Sequence, residues 1–212
     1  MPLSQAEVTK VLGETGAVIT GSHLVYTSGR HGECYVNKDA IYPHTRLISQ
    51  LCRSLAETFA ASNVEIVLGP ALGGIILSQW VAHHLSDIYG REILGVYAEK
   101  STEGDGFVIK RGYDKLIKGK RTLVVEDVLT TGGSVKKVIE TATTIGATIV
   151  GVAALCNRGG LSKEMLGDIP KLHALLEISL DSWAEENCPL CEKNIPINTA
   201  VGKGADFVAR RK

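Results

Sequence analysis

Apolar residues along the chain change their period twice, and the elements they predict fall into three stretches. Near the start, Ser4 is followed three residues later by Glu7, just ahead of Val11 and Leu12. That spacing predicts a short helix opened by a capping box and stopped between Gly13 and Gly16. His23 to Tyr26 and Cys34 to Lys38 read as two short strands of a hairpin, joined by the polar, glycine-containing loop 28–32.

From residue 45 the rhythm becomes that of alternating helices and strands. Leu47, Leu51, Leu55 and Phe59 mark one helix face, Ile66-Val67-Leu68 a buried strand, and Ile75 to Leu85 another helix. Further strands are predicted at Ile93–Ala98, Thr122–Val125 and Ile149–Cys156, with a helix over Ser134–Ile145. This order implies an α/β fold, an open and mostly parallel sheet of about five strands flanked by helices, with binding loops at the carboxyl ends of the strands. Glu99 to Lys120 interrupts it with a glycine- and charge-rich segment of no clean period, which is expected to be a mobile loop. The chain after residue 158 is irregular. We therefore expect one domain, with a core over 41–158 and a small hood made from 1–40 and about 159–212.

Composition narrows the function classes. The 212 residues are 44% hydrophobic, enough for a real core, and 23 basic residues balance 23 acidic ones. No overall field draws such a chain to nucleic acid or to an anionic membrane, so any phosphate must be held by local geometry. The first residues lack a basic region followed by an apolar run, and five scattered cysteines suggest no disulfide framework. The expected location is cytoplasmic.

The segment Thr122-Leu-Val-Val-Glu-Asp-Val-Leu-Thr-Thr-Gly-Gly-Ser134 carries the most chemistry. Thr130 and Thr131 offer hydroxyls. Gly132 and Gly133 let backbone amides approach an anion at the positive end of the next helix. Glu126 and Asp127 would repel that anion and suit sugar hydroxyls on the same ligand. A sugar phosphate satisfies both sets. The plain alternative, a βα connection that happens to be glycine-rich, fits a lone Gly-Gly-Ser better than it fits the whole segment.

This segment resembles the phosphoribosyl pyrophosphate signature of the type I phosphoribosyltransferases. Three others resemble the orotate-specific members: Tyr26-Thr-Ser-Gly-Arg30 with Tyr35-Val-Asn37, Gly69-Pro-Ala-Leu-Gly-Gly74, and Ala154-Leu-Cys-Asn-Arg158. The resemblance implies a magnesium-dependent enzyme that joins orotate to the ribose phosphate of phosphoribosyl pyrophosphate, working as a homodimer. It assigns Glu126, Asp127, Val128, Leu129, Thr130, Thr131, Gly132, Gly133 and Ser134 to the sugar phosphate. Ala71, Leu72 and Gly73 fall in its pyrophosphate loop, with a cis peptide expected between Ala71 and Leu72. Orotate falls to Tyr26, Thr27, Thr130 and Arg158, whose guanidinium fork suits a carboxylate. Catalysis falls to Asp127 and to Lys100, Lys110 and Arg111 of the mobile loop, with magnesium reached through ligand oxygens rather than held by an assigned side chain.

Two departures stand out: Gly73 replaces a lysine common in the family, and the loop lacks the usual histidine. A purine-specific relative and a non-catalytic regulator that retains the sugar-phosphate site remain open as alternatives. Cys188-Pro-Leu-Cys191 has the spacing of half a zinc site, but no second ligand pair is evident from the sequence, so a packing turn is expected.

Overall fold

The computed structural model describes residues 2–26, 28–167, 169–178 and 181–210. Its contacts divide the chain into two compact units, one of residues 1–8 with 45–178 and one of residues 9–44 with 179–212.

The larger unit contains α1 (Thr45–Thr58), β1 (Ile66–Pro70), α2 (Gly73–Tyr89), β2 (Leu94–Lys100), β3 (Phe107–Val108), α3 (Tyr113–Ile117), β4 (Arg121–Leu129), α4 (Gly133–Ile145), β5 (Thr148–Asn157) and β6 (Leu172–Glu177). The strands form one sheet in the order β6-β5-β4-β1-β2-β3. The first five are mutually parallel and β3 is an antiparallel edge on β2.

Alternation along the strands sorts the core into two layers. Leu68, Val96, Val124 and Val152 pack with Val135, Val138 and Ala142 of α4 and with Ile117 of α3. The opposite face is covered by α1 and α2, where Leu51, Leu55, Leu77, Val81 and Leu85 are fully buried. Each such side chain contributes about 2 kcal/mol relative to exposure.

The parallel order was legible, and the sheet of about five strands has six. β6 lies in the stretch read as an irregular cap, so the core sheet runs past residue 158. Its short apolar run, Leu172-His-Ala-Leu-Leu-Glu177, has no period that separates strand from helix, and pairing with β5 decides it. Within the presumed loop 99–120, residues 107–108 and 113–117 are ordered by burial of Phe107, Ile109 and Ile117.

At the N-terminus the capping box forms. The Ser4 hydroxyl and Ser4 N–H both donate to Glu7 Oε2, at 2.7 and 2.8 Å, ahead of the helix Gln5–Glu14.

In the smaller unit the expected hairpin forms with different strands. Leu24–Val25 pairs with His31–Gly32, and Ser182–Trp183 adds to the other side of His31–Gly32. Tyr35–Val36 pairs instead with Val18–Ile19. The reason is local. The Tyr26 ring lies where a Cβ on residue 32 would be, which only Gly32 permits, and its hydroxyl donates to the Cys34 carbonyl at 2.6 Å.

Glu65 ties the starting ends of β1 and β4 together. Its carboxylate accepts the Arg121 N–H at 3.0 Å and the Lys120 ammonium at 2.9 Å. The Arg121 N–H, helped by Lys120, holds its pKa below the usual carboxylate value. Because the folded pKa is depressed, this stabilisation is present at neutral pH and is lost in acid, as pH falls below the usual carboxylate range and through the lowered folded pKa. Glu65→Gln should lower the melting temperature by roughly 1–3 °C at neutral pH, with the difference from wild type vanishing in acid; a constant difference across pH would refute this account.

Candidate active site

The turn from β4 into α4 is built so that only glycine fits its middle. Gly132 has φ +73°, a conformation L side chains rarely adopt, and a Cβ there would sit 2.6 Å from Leu166. Its carbonyl accepts the Lys136 N–H at 2.9 Å, starting the helix. The Gly133 N–H donates to Thr131 Oγ1 at 3.4 Å. Thr130, Thr131, Gly133 and Ser134 line an open pocket of about 140 Å³ at the positive end of this helix, and Glu126 closes one side. Anion binding here needs no cationic side chain.

The two acids of β4 are buried, 9% exposed for Glu126 and 6% for Asp127. Each accepts a neighbouring amide: Asp127 N–H donates to Glu126 Oε1 at 3.0 Å, and Val128 N–H donates to Asp127 Oδ1 at 2.6 Å. These bonds fix the carboxylates beside the cradle. Glu126, Val128 and Leu129 line the pocket, whereas Asp127 is not among its lining residues.

Parallel register brings the ends of β2, β1, β4 and β5 to one edge of the sheet. After β1, the peptide between Ala71 and Leu72 is cis. The Ala71 N–H donates to the Ala98 carbonyl at 2.8 Å, and Leu72 is 82% exposed at the tip of the loop. The loop closes tightly on itself: a Cβ on Gly74 would lie 2.8 Å from Gly69 Cα, and one on Gly69 would run into the Gly74 carbonyl. Gly73 opens α2 and is buried.

Arg158 follows β5 at the same edge. Its N–H donates to the Leu129 carbonyl at 2.9 Å and its Nε donates to Thr130 Oγ1 at 2.9 Å. The two residues assigned to orotate within this unit are therefore bonded to each other. Sequence reasoning missed two residues that hold them. Asn157 is buried and bonds Leu161 through both ends of its amide, Nδ2 to the carbonyl at 3.0 Å and Oδ1 from the N–H at 3.1 Å. Gly159 packs so closely that any Cβ would run into the Thr130 carbonyl oxygen. The Gly159-Gly160 pair after Arg158 was the available signal.

The basic residues of the loop separate. Lys100 ends β2 at the carboxyl edge and is exposed. Beyond the pairing of Lys100 with Phe107 and Glu99 with Val108, the chain runs back along the flank of β2. Lys110 and Arg111 are thereby carried away from the cradle of their own chain. Arg111 has φ +62°, donates to Glu99 Oε1 at 2.8 Å and lies over the Tyr97 ring; Glu99 holds its pKa further up. Among the described residues Lys100 and Lys110 form no ion pair.

Tyr26 belongs to the smaller unit, where its backbone closes the turn with Arg30 and Gly29. Thr27 lies outside the described residues.

A family model for the phosphoribosyl transferase domain matches residues 37–176. The orotate phosphoribosyltransferase of Pelotomaculum thermopropionicum is 37% identical over 194 residues, covering 92% of this chain and 95% of the relative. That of Thermotoga maritima is 35% identical over 198 residues, covering 93% and 98%. The crystal structure of orotate phosphoribosyltransferase from Aeropyrum pernix superposes with a TM-score of 0.64 at 28% identity, covering 81% of this chain and 93% of that one. The chain belongs to the phosphoribosyltransferase family. Within that family its place is among the orotate phosphoribosyltransferases.

Gly159→Ala should displace Thr130 and Arg158 together. We expect kcat/KM to fall at least about tenfold, equivalent to about 1.4 kcal/mol, and the melting temperature to fall as well, because the Thr130 backbone must shift. An unchanged kcat/KM would show that the close approach at Gly159 is not needed.

Proposed function

We propose that this chain transfers the phosphoribosyl group of 5-phosphoribosyl 1-pyrophosphate to orotate, forming orotidine 5′-monophosphate and pyrophosphate in UMP biosynthesis. The observation that carries the reading is the 2.9 Å bond from Arg158 Nε to Thr130 Oγ1, which sets a guanidinium beside a helix-end phosphate cradle. A carboxylate-bearing base and a sugar phosphate are the pair of ligands such neighbours suit.

Roles follow from position. The amides of Gly132, Gly133 and Ser134 with the Thr131 hydroxyl take the 5′-phosphate, and Val128 and Leu129 wall the ribose. Glu126 and Asp127 accept the ribose hydroxyls and stabilise positive charge that develops on the ring. Ala71, Leu72 and Gly73 hold pyrophosphate through backbone groups. Arg158, Thr130, Tyr26 and Thr27 bind orotate. The anomeric carbon bonds to the ring nitrogen of orotate as its bond to pyrophosphate oxygen breaks; the electron pair leaves with pyrophosphate, and the proton of the ring N–H is released to that leaving group or to solvent. The developing centre is oxocarbenium-like, so stabilising the leaving group dominates.

The donors around the cradle fit magnesium: carboxylate and hydroxyl oxygens, with no thiol or imidazole among the residues lining the pocket. When bound, magnesium would supply positive charge that stabilises the departing pyrophosphate. Lys100 adds a cation from the same edge. Lys110 and Arg111, carried along the outer flank of β2, suit the site of a second copy, which supports a homodimer. Five thiols, none in a disulfide, suit the cytoplasm. Among the described residues no helix is long and apolar enough to cross a membrane.

The test follows orotate loss spectrophotometrically with phosphoribosyl pyrophosphate and magnesium, beside adenine, hypoxanthine, guanine, xanthine and uracil. Orotate alone should react; turnover of a purine instead would remove the role of Arg158. Arg158→Lys should raise KM for orotate on the order of ten- to a hundredfold and leave that for phosphoribosyl pyrophosphate nearly unchanged. Lys100→Ala and Lys110→Ala should each lose kcat by a similar factor. Near-wild-type turnover in both would overturn the loop assignment.

A further inference from the structure

The smaller unit brings together four side chains that sequence reasoning left apart. His23 and Val25 point to one face of the hairpin, and Val25 lies opposite His31, so His23 and His31 are diagonal neighbours on that face. Cys188 caps the start of the short helix Pro189–Glu192 and Cys191 lies within it, in the later segment of the chain. Each of the four offers one ligand atom, and these atoms all lie within 4.8 Å of one another. The expected packing turn at Cys188-Pro-Leu-Cys191 thus faces the second pair of ligands that the sequence did not reveal. The histidines are separated from the cysteines by the whole of the larger unit's 45–178 stretch.

We propose that His23, His31, Cys188 and Cys191 bind a structural zinc ion. With bonds of about 2.3 Å to sulfur and about 2.0 Å to nitrogen, a tetrahedral site has edges of roughly 3.3–3.8 Å. Cys188 Sγ and Cys191 Sγ lie 3.7 and 3.8 Å from His23 Nε2, and Cys191 Sγ lies 3.4 Å from His31 Nδ1. The two ring nitrogens are closer, at 2.8 Å, and need only a small ring rotation to part. His23 Nδ1 lies 2.7 Å from the Ile195 carbonyl, the outer bond that leaves Nε2 facing the ion. The His31 ring is braced edge-on by Phe207 at 5.0 Å.

Charge and softness agree with zinc. Two thiolates and two neutral imidazoles neutralise a divalent ion, as burial demands: His23, His31 and Cys188 are 2%, 0% and 3% exposed. A pair of sulfurs with a pair of nitrogens selects zinc over magnesium, so this site is chemically distinct from the one around Glu126. The ion has a structural task as well. The unit is made of two short segments whose buried apolar residues are few, among them Leu12, Val18, Leu24, Ile41 and Leu190, and small units of this kind need a staple.

The test is metal analysis of the full-length protein, purified under reducing conditions without added metal and passed over a chelating resin. About one zinc per chain is expected, and Cys188→Ser with Cys191→Ser should abolish it. Should that variant fail to fold, cobalt exchange into the wild-type protein decides: thiolate-to-cobalt charge transfer with intense tetrahedral bands supports the site. Stripping zinc while magnesium is kept in excess should lower the melting temperature by several degrees. The proposal is overturned by absence of zinc with five free thiols, by a Cys188–Cys191 disulfide, by about half a zinc per chain, or by cobalt that stays octahedral. None of these outcomes depends on which base the enzyme takes.

Discussion

Parallel register is the constraint on which the rest of the larger unit depends. β2, β1, β4 and β5 all run the same way, so the loops that follow them emerge at one edge. The cis-containing turn at Ala71, the phosphate cradle at Thr130 and the guanidinium of Arg158 come from positions far apart in sequence. They become neighbours because backbone hydrogen bonds fix the strand ends against one another. Buried valines and leucines on both faces keep that register from slipping, since a shift of one residue would turn the core toward the helices' wrong side.

Against this frame the site does most of its work with backbone. In a chain with no net charge, the amides of a helix end and a tight glycine loop share one sheet edge, with the buried carboxylates of Glu126 and Asp127 beside them. Such a site is specified by what cannot be present. Side chains are forbidden at Gly69, Gly74, Gly132 and Gly159 because another atom already fills the space.

Local patterns were legible in the sequence and long-range ones were not. The capping box of Ser4 and Glu7, the helices at 45–58 and 133–145, and the strand leading to Glu126 each announce themselves within a dozen residues. So does the cradle, because one continuous segment makes it. β6 was hidden because its apolar run has no distinguishing period until β5 claims it. The hairpin partner of Leu24–Val25 was misread because the position of the Tyr26 ring over Gly32 sets the pairing. The pairing of Arg111 with Glu99 was equally hidden, since it depends on the turn that brings residues 107–108 back onto β2. The four residues His23, His31, Cys188 and Cys191 carry no joint signal in one dimension, since a hairpin and a turn from opposite ends must meet first.

The composition of the smaller unit from both ends of the chain has a consequence for how the protein is made. Synthesis delivers residues 9–44 first, then all of 45–178, and only then 179–212. The sheet of the larger unit can close while the earlier segment still waits, because Ser182–Trp183, which pairs with His31–Gly32, leaves the ribosome after all of 45–178. Until then His31–Gly32 has an unpaired edge and the hairpin lacks part of its apolar cover. The nascent chain is therefore open to mispairing at this hairpin until the later segment arrives, and that arrival ends the exposure.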